Sequence, residues 1–225
     1  MPECSALILS GGGLRSLVAT ASIHADARPG KIGLLHFDDG HPGHARRAEH
    51  VRLQARWFGI TQVHMVSLVH DITHFSPSDD MDGWHGPVVL RRPRIVMSGL
   101  AIAASLRAKQ LVWPCQFDGE HEQVGAITEQ TVLLEHLGQI EPEHAGPDNT
   151  ARVPTIDMPL LELTDLQLLE IGAKLEVPFE LAWSCQFKGE KHCQVCDGCR
   201  RRHKAFEDAG LADPVQLSTV GAVSP

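Results

Sequence analysis

The chain has 225 residues, a formal net charge of -8, and 43% hydrophobic and 21% charged residues. This length allows one domain with a sizeable core and a small appendage. The negative charge argues against binding nucleic acid through a basic surface, and no apolar run reaches the roughly 18 residues needed to span a bilayer. The N-terminus lacks a basic region and a cleavage site, and the cysteines cluster as in metal sites. We therefore expect a cytoplasmic protein that neither binds nucleic acid directly nor enters a membrane.

Short apolar stretches alternate with amphipathic ones along the chain, which is typical of an α/β fold with a mostly parallel sheet. The predicted strands cover 5–9, 32–37, 62–67, 110–115 and 152–158. The predicted helices cover 14–24, 42–58, 94–108, 122–137, 165–175 after an N-cap at Thr164, and 199–209. The polar stretch 72–87 predicts a long loop, and 217–225 predicts a frayed tail.

A glycine-rich turn joins the first predicted strand to the first helix, in the order Leu9, Ser10, Gly11, Gly12, Gly13, Leu14. Glycines let backbone N–H groups approach an anion closely, and the N-terminus of the helix adds a favourable dipole. Ser10 and Ser16 add hydroxyl donors. The turn is neither a Walker A motif nor a G-x-G-x-x-G fingerprint, so a tight turn without a ligand remains an alternative.

Four of the six cysteines follow a C-x7-C-x2-C-x2-C pattern: Cys185, Cys193, Cys196 and Cys199. Each C-x2-C step places two thiolates on one tight turn, where a single tetrahedral ion can hold both. A set of four cysteines has no open coordination position, which favours a structural zinc site. An iron–sulfur cluster is the main alternative. We expect His192 and His203 to face solvent rather than to replace a cysteine.

These motifs resemble the 7-cyano-7-deazaguanine synthase family, a branch of the PP-loop ATP pyrophosphatases that serves queuosine biosynthesis. The family begins with Ser-Gly-Gly-x-Asp-Ser after its first strand. It ends with Trp-Ser-Cys, the same cysteine spacing and a basic helix, and here Trp183-Ser184-Cys185 and all four cysteines are in register. Phe37-Asp38-Asp39-Gly40 with His44 resembles the family's Phe-Asp-Tyr-Gly-Gln and nearby histidine. The resemblance covers nearly the whole chain.

The resemblance implies a Rossmann-like, adenine nucleotide alpha hydrolase-like parallel sheet over 1–180. A zinc-binding helical module over 181–213 and a tail over 214–225 would follow. It also implies structural Zn2+, ATP with Mg2+ as co-substrate, a small deazapurine-type substrate and a homodimer. The implied nucleotide-binding residues are Leu9, Ser10, Gly11, Gly12, Gly13, Leu14 and Ser16. The implied catalytic residues are Arg15, Ser16 and Asp38, and the four cysteines would bind the zinc.

The family is an ATP-dependent C–N ligase that adenylates 7-carboxy-7-deazaguanine, adds ammonia, and dehydrates the amide to a nitrile with a second ATP. This chain departs from it at the turn, where Arg15 stands in place of the motif's aspartate. The family's Tyr-Pro-Asp-Cys-Arg substrate segment also has no counterpart. Two alternatives therefore stay open: a diverged member that acts on another acid, and a non-catalytic, zinc-stabilised nucleotide-binding protein.

Overall fold

The computed structural model describes residues 4–26, 31–40, 42–68, 91–117, 120–140 and 153–215. The loop predicted at 72–87 and the tail predicted at 217–225 lie outside these ranges. Within them, no helix combines the length and the apolar character needed to cross a membrane.

A parallel sheet of five strands forms the centre of the described structure and confirms the predicted α/β class. The strands are β1 (Ala6–Leu9), β2 (Ile32–Asp38), β3 (Gln62–Ser67), β4 (Gln110–Val112) and β5 (Thr155–Asp157). Their order is β3-β2-β1-β4-β5, with every neighbouring pair parallel. The connections reverse direction beside β1, so a crevice is expected at its carboxyl end, where doubly wound folds bind ligands.

Both faces of the sheet are covered, which explains why β1 is apolar without alternation. Leu7 and Leu9 pack on one side with Val96 and Leu100 of α3, while Ile8 packs on the other with Val51 of α2. The described helices are α1 (Leu14–Asp26), α2 (His44–Trp57), α3 (Arg91–Ser105), α4 (His121–Ile140), α5 (Asp165–Lys174) and α6 (Asp197–Asp208). A 3-10 turn, Phe179–Leu181, follows α5.

Local chemistry sets the ends of two elements. Thr164 caps α5 as predicted: its hydroxyl accepts the Gln167 N–H, and the Gln167 side chain accepts the Thr164 N–H at 2.9 Å. This is a capping box, which satisfies two N–H groups that the helix leaves unpaired. β4 ends at Val112 rather than at the predicted residue 115. Pro114 has no N–H to donate to a strand ladder, so the pairing stops there.

One buried arginine helps to attach the C-terminal helix to the rest of the chain. The Arg202 guanidinium is 3% exposed and binds both carboxylate oxygens of Asp213 at 2.8–3.0 Å. It also donates to the carbonyls of Ala182 at 2.9 Å and Phe179 at 3.0 Å. Because these partners satisfy the buried charge, α6 is fixed beside the segment that leads into Cys185.

Candidate functional site

The glycine turn is held in place by contacts with α2 and with the segment after the 3-10 turn. Gly12 has φ +70°, a conformation that L side chains rarely adopt, and an added Cβ would lie 2.6 Å from the Arg47 carbonyl oxygen. Its own carbonyl accepts hydrogen bonds from the Trp183 N–H at 2.8 Å and from Gln54 Nε2 at 2.9 Å. Gly12 is therefore buried at the back of the turn, where it positions the residues that face the crevice.

Two cavities meet at the front of the turn, and Gly11, Arg47 and Pro114 line both. One cavity, of about 320 Å³, lies between the starts of α1 and α5, the 183–186 segment and α6. Because four arginines line it, we call it the arginine cavity: Arg15, Arg47, Arg201 and Arg202. The second, of about 220 Å³, has five large apolar side chains in its lining, and we call it the apolar cavity after them: Leu9, Leu35, Phe37, Ile95 and Trp113.

The predicted nucleotide-binding residues divide between these cavities. Leu9 and Ser10 line the apolar cavity, whereas Gly13, Leu14 and Ser16 line the arginine cavity. The buried Ser16 hydroxyl donates to the Gly13 carbonyl at 3.1 Å, so it stabilises the first turn of α1 in addition to facing the cavity. Gly12 is not among the lining residues of either cavity. The structure thus brings together all of the predicted loop residues except Gly12.

Arg15 lies in the second position of α1 and faces the arginine cavity. Its side chain is open to solvent and has no hydrogen-bond or ion-pair partner within the described ranges. Burial in the surrounding recess lowers the pKa of Arg15, and the positive charge of Arg201 lowers it further. Arginine keeps its proton in proteins, so the cavity carries a guanidinium charge beside the glycine turn.

Arg201 brings a second guanidinium to this cavity from α6. Its Nε lies 2.6 Å and its Nη2 3.0 Å from the two carboxylate oxygens of Asp165, at the start of α5. Asp165 is the sole carboxylate among the described residues that line the cavity. The sequence interpretation missed Arg201, Arg47 and Trp183, because they come from distant segments. The basic run 200–202 was the available signal, but its spacing does not say which arginine faces a cavity.

His36 is a buried polar residue that the sequence interpretation did not single out. It lies in β2, is 4% exposed and lines the apolar cavity. Its Nδ1 lies 2.8 Å from the Ser10 carbonyl oxygen, which can only accept, so Nδ1 carries the proton. Burial lowers the pKa of His36 and keeps the ring neutral. Its Nε2 is therefore an acceptor, and it has no partner among the described residues.

The predicted residue Asp38 lies at the carboxyl end of β2, beside the glycine turn rather than on it. Its carboxylate accepts the Gly40 N–H at 2.9 Å and lies 3.0 Å from Nδ1 of His44. Asp38 and His44 line a third cavity of about 380 Å³ with Met65 and Ser67. His44 also lines the apolar cavity, whereas Asp38 does not. Asp38 therefore stabilises the turn at Gly40 and orients the His44 ring through Nδ1. The other ring nitrogen of His44, Nε2, takes no part in this contact.

The four cysteines form one compact cluster, as the spacing predicts. Their Sγ atoms all lie within 4.8 Å of one another, and those of Cys193 and Cys199 are 3.9 Å apart. Four thiolates at about 2.3 Å from one tetrahedral ion lie about 3.8 Å apart, so this cluster fits a single metal ion. Burial raises the pKa of Cys185 and of Cys199, so these thiols keep their protons unless a cation displaces them. The cluster can bind metal.

The expectation that His192 faces solvent is wrong, whereas His203 is exposed as expected. The His192 ring is half-buried, with its centroid 4.3 Å from that of Trp183, and its Nε2 accepts the Ser184 N–H at 3.1 Å. Burial lowers the pKa of His192 to about 4. The spacing of the cysteines gave no signal for this stacking, because Trp183 lies nine positions upstream of His192.

Comparisons with known proteins agree with this geometry. The family model described as "Queuosine biosynthesis protein QueC" matches residues 135–210, which include α5, the cysteine cluster and α6. The 7-cyano-7-deazaguanine synthase of Chlorobaculum tepidum is 25% identical over 221 residues, 94% of this chain and 95% of that protein. The protein of the same name from Thermoplasma volcanium is 47% identical over 64 residues, 28% of this chain and 26% of that protein.

A solved structure shares the fold. NMN synthetase from Francisella tularensis superimposes with a TM-score of 0.51 at 13% sequence identity, over 100% of this chain and 90% of that chain. At this identity the match shows the fold alone. The described sheet and its flanking helices thus have the same arrangement as in that solved structure.

Proposed function

We propose that this chain is a member of the 7-cyano-7-deazaguanine synthase family of ATP-using enzymes, and that it is a ligase that adenylates the carboxylate of a deazapurine-type acid. In the family reaction the carboxylate oxygen attacks the α-phosphorus of ATP and pyrophosphate leaves. Ammonia then displaces AMP to give the amide. The amide oxygen is adenylated by a second ATP, and loss of AMP and a proton gives the nitrile of 7-cyano-7-deazaguanine.

The observation that carries this proposal is the meeting of the two cavities at the glycine turn. Leu9, Leu35 and Trp113 give the apolar cavity the character that a flat heteroaromatic ring requires. Gly11 and Gly13 expose backbone at the start of α1, where the N–H groups and the helix dipole favour phosphate. A nucleotide with its base in the apolar cavity and its phosphates at the turn would span the two.

We assign three residues to this chemistry. Arg15 would contact the phosphates, and Ser16 would hold the first turn of α1 in the geometry that the backbone donors need. Asp38 would act as a positioning residue, because its contact with Nδ1 of His44 directs the other ring nitrogen away from the carboxylate. When the imidazole of His44 is unprotonated, that nitrogen can accept the proton that an ammonium ion must lose before it attacks an acyl adenylate.

The cysteine cluster fits Zn2+, and we assign it as a structural site held by Cys185, Cys193, Cys196 and Cys199. The bound ion would connect the loop after Trp183 to the start of α6. Since Arg201 and Arg202 lie in α6, a metal there would also fix one wall of the arginine cavity.

The described residues that line the arginine cavity do not fit Mg2+, which prefers several oxygen ligands in an octahedral arrangement. The carboxylate that lines the arginine cavity, Asp165, is bound on both oxygens by Arg201. Asp38 is engaged by His44 and Gly40 and lies on the neighbouring cavity. We derive no step that requires the metal.

A second candidate function is an adenylating enzyme for a different acid. The guanidinium groups of Arg15 and Arg201 in the arginine cavity favour it, since they suit a substrate with more than one negative charge. This candidate uses the same turn and the same ATP chemistry, so the two differ only in the acid.

The test measures AMP release from ATP by the purified, metal-loaded protein, with 7-carboxy-7-deazaguanine and ammonium present and then omitted. Substrate-dependent AMP is the expected result. AMP release that requires another carboxylic acid would transfer the assignment to the second candidate. If the folded protein releases no AMP with any acid tested, the ligase assignment is wrong.

Two glycine variants control for folding. An added Cβ on Gly11 meets open space, so Gly11→Val should fold yet fill the front of the turn and lower AMP release at least about 10-fold. Gly125 on α4 also faces open space, away from both cavities, and Gly125→Val is the matched control. Equal activity of the two variants would place the chemistry elsewhere.

A further inference from the structure

We propose that the arginine cavity binds the phosphate groups of its ligand without a divalent cation, with Arg15, Arg47 and Arg201 supplying the charge that a metal ion would supply. The identity of the ligand as ATP rests on the proposed function. The binding of a polyphosphate anion does not, because it depends only on the charges and donors that line the cavity.

The first support is the balance of charge in the cavity wall. Arg15 faces the cavity with no described partner, and Arg201 is shared with a single carboxylate. Arg202 is different, because Asp213 and two carbonyls occupy its donors. Four guanidinium groups and one carboxylate thus line one recess. Asp165 pairs with Arg201 and Asp213 pairs with Arg202, so Arg15 is the guanidinium that brings an uncompensated positive charge to the recess.

The second support is the mutual repulsion of these groups. Burial lowers the pKa of Arg15 most, and the charges of Arg201 and Arg92 lower it further, against an opposing effect of the Asp165 carboxylate. Like charges gathered in a recess raise the free energy of the protein unless a counter-charge relieves them. A bound polyanion would remove the repulsion and accept bidentate hydrogen bonds from more than one guanidinium.

The third support comes from backbone and indole donors. Three helices longer than two turns, α1, α5 and α6, direct first-turn residues to the cavity wall: Leu14, Asp165 and Gly198. Each helix N-terminus favours an anion through its unpaired N–H groups and its dipole. Trp183 lines the same cavity, is 5% exposed, and has an indole N–H without a partner among the described residues. All of these groups are donors, and a metal ion needs acceptors.

The experiment is a calorimetric titration of the full-length, zinc-loaded chain with ATP and separately with inorganic pyrophosphate. Each titration is run in Mg2+-depleted buffer and again with Mg2+ added. The buffer contains no chelator, which would compete for the cysteine site. We expect dissociation constants with and without Mg2+ that agree within about threefold.

Variants then assign the binding to the guanidinium groups. Arg15→Gln should weaken metal-free pyrophosphate binding roughly 10- to 100-fold, as expected when a charge-assisted hydrogen bond is lost. Arg201→Gln is made together with Asp165→Asn, so that no unpaired carboxylate remains, and should have a similar effect. Arg200→Gln is the matched control, since Arg200 lies on the same helix, is exposed and does not line the cavity.

Each outcome decides the proposal. Metal-free binding that is lost in Arg15→Gln and kept in Arg200→Gln supports it. Binding that appears only when Mg2+ is added overturns it, as does metal-free binding that none of the variants changes. Failure of both anions to bind under either condition also overturns it. If pyrophosphate binds metal-free but ATP does not, the inference stands and the proposed use of ATP fails.

Discussion

The cysteine cluster lies beside the arginine cavity that the glycine turn lines, yet the two regions differ in how closely they match the family that the chain resembles. The cluster keeps all four cysteines in register, with Sγ atoms within 4.8 Å of one another. The turn keeps its glycines but has Arg15 where the family has an aspartate. A four-cysteine site needs every ligand, because each one completes the coordination of a single ion.

A turn that binds through backbone N–H groups depends on its conformation more than on its side chains. Gly12 fixes that conformation through its positive φ and its contact with the Arg47 carbonyl. A side chain of either charge can then occupy position 15. With arginine there, the recess is suited to anions rather than to a metal ion. The difference between the two regions is thus a difference between side-chain and main-chain recognition.

The largest expected effect tests the cysteine cluster. Cys199→Ala removes one of four ligands, so the protein should lose its bound metal and more than about 4 kcal/mol of stability in the C-terminal segment. Metal analysis of the purified protein, followed by a thermal melt, measures both. Cys4→Ala is the control, since Cys4 is buried in the core outside the cluster and should keep the metal content. Full metal content in Cys199→Ala would rule out the four-cysteine site.

The next effect tests the turn. Gly12→Ala forces a side chain into a left-handed conformation and against the Arg47 carbonyl, so the free energy of unfolding should fall by about 1–3 kcal/mol or more. Gly11→Ala adds the same methyl group where an added Cβ meets open space, and its stability should change by less than about 0.5 kcal/mol. Denaturant titrations of both variants make the comparison. Equal stabilities would mean that Gly12 does not fix the turn.

The smallest effect concerns the histidine that supports the turn. Burial lowers the pKa of His36 below the value of about 6.5 for an unfolded imidazole. Between those two values the unfolded chain binds a proton that the folded chain does not. The contribution of neutral His36 to the free energy of unfolding is therefore complete above about pH 6.5. It declines as the pH falls from there toward the lower pKa of the folded protein.

His36→Asn keeps a donor for the Ser10 carbonyl and removes the titration. Its free energy of unfolding should therefore depend less on pH between 7.5 and 5 than that of the parent, by about 1 kcal/mol or less. Chemical denaturation at several pH values gives both curves. Parallel curves would show that His36 does not titrate on unfolding.

Much of the fold could be predicted because its signals are local. Apolar runs placed all five strands, with β3 matching residue for residue, and the Thr164 cap placed the start of α5. The cysteine spacing placed the metal-binding cluster. The end of β4 could not be predicted from the apolar residues alone. The apolar run continues through Trp113 and Cys115, whereas strand pairing ends before Pro114.

The site itself could be predicted only in part. The glycine turn was visible because its residues are contiguous, and all but Gly12 face the two cavities. His192 was misjudged, since a histidine beside a cysteine pattern gives no sign that it will stack on Trp183. Arg201 was missed because an arginine in a basic helix is usually a solvated surface residue.

The sequence by itself determined the order of strands and helices, the glycine turn and the four cysteines, because each depends on residues close together in the chain. The tertiary structure decided which charges share the recess in front of the turn. It packs α6 beside α5, and so places Arg201 and Asp165 in the same cavity as Arg15 although they lie far apart in sequence. Electrostatic interactions depend on distance in space, so only the folded structure determines that the charge in this cavity is positive.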